Sequence, residues 1–379
     1  MARISHAVKV EVWWHPLQTN HNYAACKRMT KAEKIEAFDP NGVGLRNDKF
    51  IGLPFDEADA EVVLLPVPWD TTVSYKAGTA YAPGRILEAS TQLDLYDEHV
   101  PDAWKIGIYM RPADDQLLQL NAEMRQKSED YISLLERGLS PTENDQTLLD
   151  QLNEINRAAE QVHENVYHQS LELLRADKIV GVVGGEHSVP FGLLRALSEQ
   201  YTDGFGVLQL DAHMDLREAY EGFIYSHASI FYNSLSLDGL RKLVQVGIRD
   251  YCEAEADLAK RDDRITVYTN SSIQSRMMEG TAFREIVADI VAQLPERVYI
   301  SFDIDALEST YCPGTGTPVP GGLTYDQALY LIRAVTDAGK IIIGFDLSEV
   351  GNAEYDANVG ARILYQLSNQ AAKSQGRMP

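Results

Sequence analysis

A chain of 379 residues with 45% hydrophobic content is long enough for one large α/β domain or two ordinary ones, and apolar enough to bury a core. Its formal charge of −22 argues against nucleic acid as a partner, whose phosphates would be repelled; it speaks first to solubility, and it mildly concentrates cations. Cys26, Cys252 and Cys312 are odd in number, far apart and without a C-x-x-C pattern, which disfavours a disulfide framework or a zinc–thiolate site and favours a reducing compartment.

In chain order, residues 1–58 read as an extension wrapped on a core or on a neighbouring subunit. Trp13, Trp14, His15, His21 and Tyr23 make it too aromatic for a disordered tail, with Phe38, Phe50 and Phe55 following. Lys9 and Glu11 interrupt any leader-like apolar run near the start, and no stretch reaches the roughly 18–20 apolar residues of a membrane span. The expectation is a cytoplasmic protein without a membrane partner.

From residue 59 to about 370 the pattern is strand, loop, helix, repeated. Strands are predicted at 61–67, 105–110, 179–183, 206–210, 242–248, 265–268, 297–302 and 341–345. They are short and nearly all apolar, and mostly separated by segments long enough for a helical crossover. That is how a mainly parallel sheet of about eight strands, covered on both faces, reads. A helical insertion at about 114–177 interrupts it: 116–137 and 143–176 have helical periodicity, and Ser140, Pro141 and Glu143 form a helix-start signal. This hairpin is expected to be scaffold or subunit contact. His163 and His168, on its second helix, are expected to be solvated. No period of 20–50 residues repeats, so a solenoid is excluded.

The chemistry gathers where strands end. Asp211, His213 and Asp215 occupy alternate positions after one apolar run, and Asp303 and Asp305 do the same after another. A strand has a side-chain period of two, so each set projects to one face. His187 follows a third run and a Gly-Gly turn, and Glu349 follows a fourth. Ligands in open parallel sheets bind at the carboxyl ends of strands. Any one of these carboxylates can be a helix cap or a loop acceptor. Together they place so much like charge at one edge that cations are needed to neutralise it.

Four carboxylates carry −4, and two divalent ions bring +4. Imidazole and carboxylate without thiolate suit manganese, iron, cobalt, nickel or zinc better than calcium or magnesium. Two such ions activate water near neutral pH, and the reaction class that follows is hydrolysis at carbon or phosphorus.

Several ordered blocks carry a family resemblance. Gly184-Gly185-Glu186-His187-Ser188, the runs Asp211–Asp215 and Ser301–Asp305, Pro313-Gly314-Thr315-Gly316-Thr317-Pro318 and Gly321-Gly322-Leu323 resemble the signature blocks of the ureohydrolases, the family of arginases, agmatinases and formimidoylglutamases. The likeness is nearest to the agmatinase-like branch that includes guanidine hydrolases. It implies a three-layer α/β/α fold, trimers or hexamers, and two divalent ions per subunit, nickel or manganese. It further implies that His187 and Asp215 hold one ion, His213 and Asp305 the other, with Asp211 and Asp303 bridging. Asp215 is counted with the catalytic group as well as with the ligands. His227 matches a histidine that shuttles a proton to the departing amine, and Glu349 a glutamate that holds the substrate guanidinium. Glu186 stands where Asp is usual, and residues 306–309 depart from the usual spacing; neither position is a ligand in the family.

The substrate is expected to be a small guanidino cation. Cys252 falls where arginases align an aspartate facing the α-ammonium, which demotes arginine. Guanidine ranks slightly ahead of agmatine, with Trp69 and Trp13 or Trp14 expected to roof the pocket. Formimidoylglutamate and guanidinobutyrate follow. Arg217 can read a substrate carboxylate, although a scaffold ion pair is the expected role. Outside this class stand a binuclear phosphoesterase, which Glu349 and the acidic field disfavour, and a metal-free binding protein, which the complete ligand set disfavours.

Overall fold

The computed structural model describes residues 29–139 and 146–378. Trp13, Trp14, His15, His21 and Tyr23, like the helix start at residues 140–143, lie outside them. The described part of the extension forms α1 (Lys31–Ala37), whose Thr30 and Glu33 make a reciprocal capping box. Beyond it Phe50, Leu53 and Phe55 are buried in the same apolar cluster as Ile106 and Ile108.

The remaining elements follow as β1 (Val62–Val67), α2 (Ala82–Ser90), β2 (Ile108–Met110), α3 (Asp115–Glu136), α4 (Gln146–Arg175), β3 (Ile179–Gly184), α5 (Phe191–Gln200), β4 (Phe205–Leu210), α6 (Ile230–Ser234), β5 (Leu240–Ile248), α7 (Glu253–Arg261), β6 (Ile265–Thr269), α8 (Asn270–Met278), α9 (Phe283–Ala292), β7 (Arg297–Asp303), α10 (Tyr325–Asp337), β8 (Ile341–Ser348) and α11 (Glu354–Ser374). Each predicted strand exists, with ends shifted by a few residues. β2 starts three residues late, because residues 103–106 coil into a 3-10 turn instead of extending, and β8 runs three residues further, to Ser348.

All eight strands pair in parallel in the order β2-β1-β3-β8-β7-β4-β5-β6. The pleat divides the apolar side chains between two cores. Val62, Leu64, Leu208, Ile300 and Phe345 face the layer built from α2, α9, α10 and α11. Val63, Leu65, Val180, Val207 and Tyr299 face the layer of α3, α4 and α5. The result is a three-layer α/β/α fold, reached because strands buried on both faces have no polar side to show water.

The insertion is a helical hairpin, α3 against α4. Asp114 caps α3 by accepting from the Gln116 N–H at 2.8 Å. His168 is solvated, but His163 is not. It is 1% exposed, packed against Phe191 and Tyr225, with neither ring nitrogen hydrogen-bonded. The apolar stripe of α4 turns this position inward, and burial lowers its pKa to about 3.

Candidate metal and active site

The four strands whose ends carry chemistry are neighbours. β3, β8, β7 and β4 form the centre of the sheet, and successive strands lie about 4.8 Å apart, so their carboxyl ends deliver side chains to one small volume. The Gly184–Gly185 turn after β3 lets the backbone pass under Trp69: a Cβ on Gly185 would lie 2.0 Å from the Trp69 carbonyl oxygen. The Glu186 N–H donates to that carbonyl at 2.8 Å, which aims His187 inward.

His187 Nδ1 lies 3.0 Å from Asp211 Oδ2, 3.0 Å from Asp215 Oδ2 and 3.2 Å from Asp303 Oδ2. His213 Nδ1 lies 3.1 Å from Asp305 Oδ2 and 3.6 Å from Asp211 Oδ1. Two metal-competent groups result, His187 with Asp211 and Asp215, and Asp211 with His213 and Asp305; Asp211 belongs to both, and Asp303 stands beside them. His187 Nδ1 and Asp305 Oδ2 are buried without a hydrogen-bond partner, so the donor set fits a pair of cations.

The protonation pattern has one cause, acids buried together. Burial and the Asp211 charge push Asp215 up to about 7, and burial beside Asp305 and Asp211 raises Asp303 far above the carboxylate range. Burial opposes the charge on His213, but Asp305 and Asp211 outweigh it and drive its pKa up to about 12.

Behind these side chains is a supporting shell that sequence reading missed. His187 Nε2 is 2.8 Å from Ser301 Oγ and 3.8 Å from Asp346, which itself accepts from the Tyr299 hydroxyl at 2.7 Å and the Ser348 hydroxyl at 3.1 Å. Gln209 donates to Asp211 Oδ2 at 2.8 Å and is held by Gln245 at 2.6 Å. A signal was available: Ser301, Asp346, Gln209 and Gln245 are polar residues each flanked by apolar neighbours within a strand.

Two loops close over the cradle. In residues 217–229, the His227 N–H donates to Thr72 Oγ1 at 3.0 Å, and His227 Nδ1 is 3.3 Å from the same oxygen. Burial, then the His213 charge, lowers the His227 pKa to about 3, which leaves the imidazole neutral. Thr72 belongs to the other loop, 69–76, and Glu186 holds it: Glu186 Oε2 accepts from the Thr72 N–H at 2.7 Å, and Oε1 from its hydroxyl at 3.0 Å.

Glu349, at the exit of β8, has φ 60°, a left-handed conformation unusual for a glutamate. Oε1 accepts the His187 N–H at 2.9 Å, while Oε2 is buried without a partner. Burial, then the neighbouring Glu186, raises its pKa well above the carboxylate range. A cationic donor at Oε2 would satisfy both the charge and the unpaired oxygen.

The cleft encloses about 310 Å³ and is lined by His187, His213, Asp215, Asp303, His227 and Glu349, together with Ser74, Tyr75, Arg217, Tyr220, Asp250, Tyr251 and Glu255. Trp69 is absent from this lining. It is fully buried in the α3–α4–α5 core, because the chain just past the end of β1 turns its side chain to the face the hairpin covers. Cys252 also faces elsewhere, at the start of α7, where its N–H donates to Glu255 Oε2 at 2.9 Å. Arg217 lies 3.6 Å from Glu255 and over the Tyr220 ring.

Residues 60–371 match the arginase family. An N(1)-aminopropylagmatine ureohydrolase of Thermus thermophilus is 33% identical over 82% of this chain and 90% of its own length. An agmatinase of Bacillus cereus is 29% identical over 77% of this chain and 84% of its own length. Among solved structures, the proclavaminate amidino hydrolase of Streptomyces clavuligerus aligns with TM-score 0.66 at 24% identity, covering 88% of this chain and 99% of that one. The agmatine ureohydrolase of Thermoplasma volcanium aligns with TM-score 0.64 at 22% identity, covering 91% and 99%. A family match across most of the chain joins the fold and the His/Asp cluster: the chain belongs to the arginase family, metal-dependent hydrolases of guanidino C–N bonds.

Proposed function

We propose that the protein hydrolyses a guanidino compound with a short cationic tail, of the agmatine type, to urea and an amine. The observation that carries this reading is the unpaired, buried Oε2 of Glu349 in a cleft whose lining also includes Asp250 and the rings of Tyr75, Tyr220 and Tyr251. Glu349 would take the forked N–H donors of the guanidinium, and the Asp250 carboxylate and tyrosine rings of the lining suit a distal ammonium. The names of the curated relatives agree with such a substrate.

His187, Asp211, His213, Asp215, Asp303 and Asp305 would hold two ions, manganese or nickel, which when bound supply an activated water and neutralise the acids. Ser301 and Gln209 orient their ligands. Neutral His227 accepts a proton at the cleft and returns it to the departing amine as the C–N bond breaks. Water adds to the guanidino carbon, the amine leaves with the proton, and urea remains. By the same reading the assembly is a trimer or hexamer of a cytoplasmic enzyme, with light scattering as the check on the ring.

Guanidine as preferred substrate rests on an aromatic roof. Trp69 lies in the core, which removes one of the expected roof residues; Trp13 and Trp14 lie outside the described residues, and the likeness to the guanidine-hydrolysing branch keeps guanidine as the alternative substrate. The test is urea release by manganese- and nickel-loaded protein across agmatine, aminopropylagmatine, guanidine, arginine and 4-guanidinobutyrate. Agmatine or its aminopropyl derivative should give the highest kcat/KM. A maximum at guanidine overturns the tail, and no urea from any of them overturns the reading.

A further inference from the structure

The helical hairpin touches both loops of the active site. On α3, Asn121 donates to Asp70 Oδ1 at 2.8 Å and accepts from the Asp70 N–H at 2.7 Å and the Thr71 hydroxyl at 3.0 Å. Arg125, one turn on, donates to the carbonyls of Thr71 and Val73. These bonds fix the backbone on either side of Thr72. On α4, Asn156 donates to the Gly222 carbonyl at 3.1 Å and accepts from the Ile224 N–H at 2.9 Å, so one side-chain amide spans the turn that leads to His227. Gly222 has φ +85° and is enclosed by both helices: a Cβ there would lie 3.0 Å from Leu152 and 3.2 Å from the Tyr131 hydroxyl.

The two clamped loops meet at one contact, Thr72 with His227. No strand carries either side chain. Loops run over the surface and move unless something ties them down, and here the ties come from an inserted hairpin.

We infer that the hairpin is a positioning device for proton transfer: Asn156 on α4 and Asn121 on α3 set the place of His227 over the metal cradle. The inference rests on the proposed role of His227 in a guanidino hydrolase. A misplacement of about 1 Å at a reacting group can cost about a hundredfold in rate, so a bond three residues from the loop histidine is enough to matter.

The experiment uses the full chain loaded with manganese and the best substrate of the panel. Asn156→Ala removes both loop bonds; the nearly isosteric Asn156→Asp keeps an acceptor for Ile224 and loses the donor to Gly222. Gln151→Ala is the control, because Gln151 on the same helix bonds only to the Lys127 carbonyl of α3, at 2.7 Å. We expect kcat to fall about tenfold or more in both Asn156 variants, with bound metal and KM nearly unchanged and a displaced pH–kcat profile, while Gln151→Ala behaves as wild type. Asn156→Asp alone decides the matter if Asn156→Ala does not fold. Wild-type kcat and pH profile in Asn156→Asp, or an equal loss in Gln151→Ala, would overturn the inference. An active wild type with unaffected Asn156 variants sinks the hairpin role alone, whereas an inactive wild type sinks the functional reading.

Discussion

The metal cradle and the loops above it are built on different principles. Cradle side chains come from the ends of three central strands, β3, β4 and β7, and from the short turns just past them, which the sheet ladder anchors: β7 pairs β8 from Arg297 to Asp303, and β4 pairs β7 from Gly206 to Leu210. The loops bearing Thr72 and His227 have no ladder and are held by side chains of α3 and α4. A sheet edge thus supplies rigid ligands, and an insertion can tune what sits over them without disturbing them. Damage to the cradle should abolish chemistry outright, and damage to the roof should only slow it.

The sharpest way to break this division is at Asp211, which faces both metal-competent groups. Asp211→Asn should remove both ions, with loss of all measurable urea release and a protein that retains its far-UV circular dichroism. Elemental analysis after dialysis is the check. Retention of one full equivalent would mean that Asp211 serves one ion and that Asp303 alone bridges.

His227→Ala, on the roof, should cost roughly 10²–10⁴ in kcat while both ions stay bound. Lost metal in this variant would make His227 part of the cradle and collapse the distinction. The neighbouring Thr72, which keeps its backbone bond to Glu186, would then be the next group to test.

That same division explains what the chain discloses before folding. Asp211, His213, Asp215, Asp303 and Asp305 stand out because alternate acids and histidines follow apolar strands, but β4 ends at Leu210 and β7 at Asp303, so turns at the strand ends, not a strand's period of two, bring them together. The supporting atoms are harder to see. Asp346 and Ser301 act through His187 from other strands, and only their polarity within apolar runs gives them away. Roof contacts leave no local pattern: Asn156 meets Ile224 across 68 residues of sequence, and Asn121 meets Asp70 across 51. Trp69 misleads for the opposite reason. Aromaticity near a strand end fits a pocket wall and a core equally, and the hairpin that buries it comes from the segment between β2 and β3.

A subtler probe sits one layer beneath the cradle. Ser301→Ala removes the oxygen 2.8 Å from His187 Nε2, which leaves the ligand present but unheld. Metal affinity should fall by about tenfold to a hundredfold, as for other groups behind a ligand. Saturating metal should restore most of the rate. A variant that stays slow at saturation would place Ser301 in the chemistry.

The smallest effect expected lies in the hairpin, at His163, and concerns stability. Its imidazole is buried against Phe191 and Tyr225 with no partner for either nitrogen, and burial, reinforced by the Arg195 charge, lowers its pKa from 6.5 to about 3. The unfolded chain therefore takes up this proton first as the medium is acidified. Above pH 6.5 the residue brings no titration penalty. Between pH 6.5 and about 3 it destabilises the fold progressively, by up to about 1.4 kcal/mol for each pH unit. Metal ligands and other acids also titrate there, so the informative quantity is the difference between wild type and His163→Leu. Leucine fills a similar volume and leaves no buried nitrogen unpaired. Denaturant curves at pH 7.5 and pH 5 should show the variant gaining on wild type at the lower pH by about 1–2 kcal/mol, with the same m-value at both. Parallel pH dependences would mean that the imidazole is protonated or solvated in the folded protein, and the hairpin would then be looser against the His227 loop than its packing indicates.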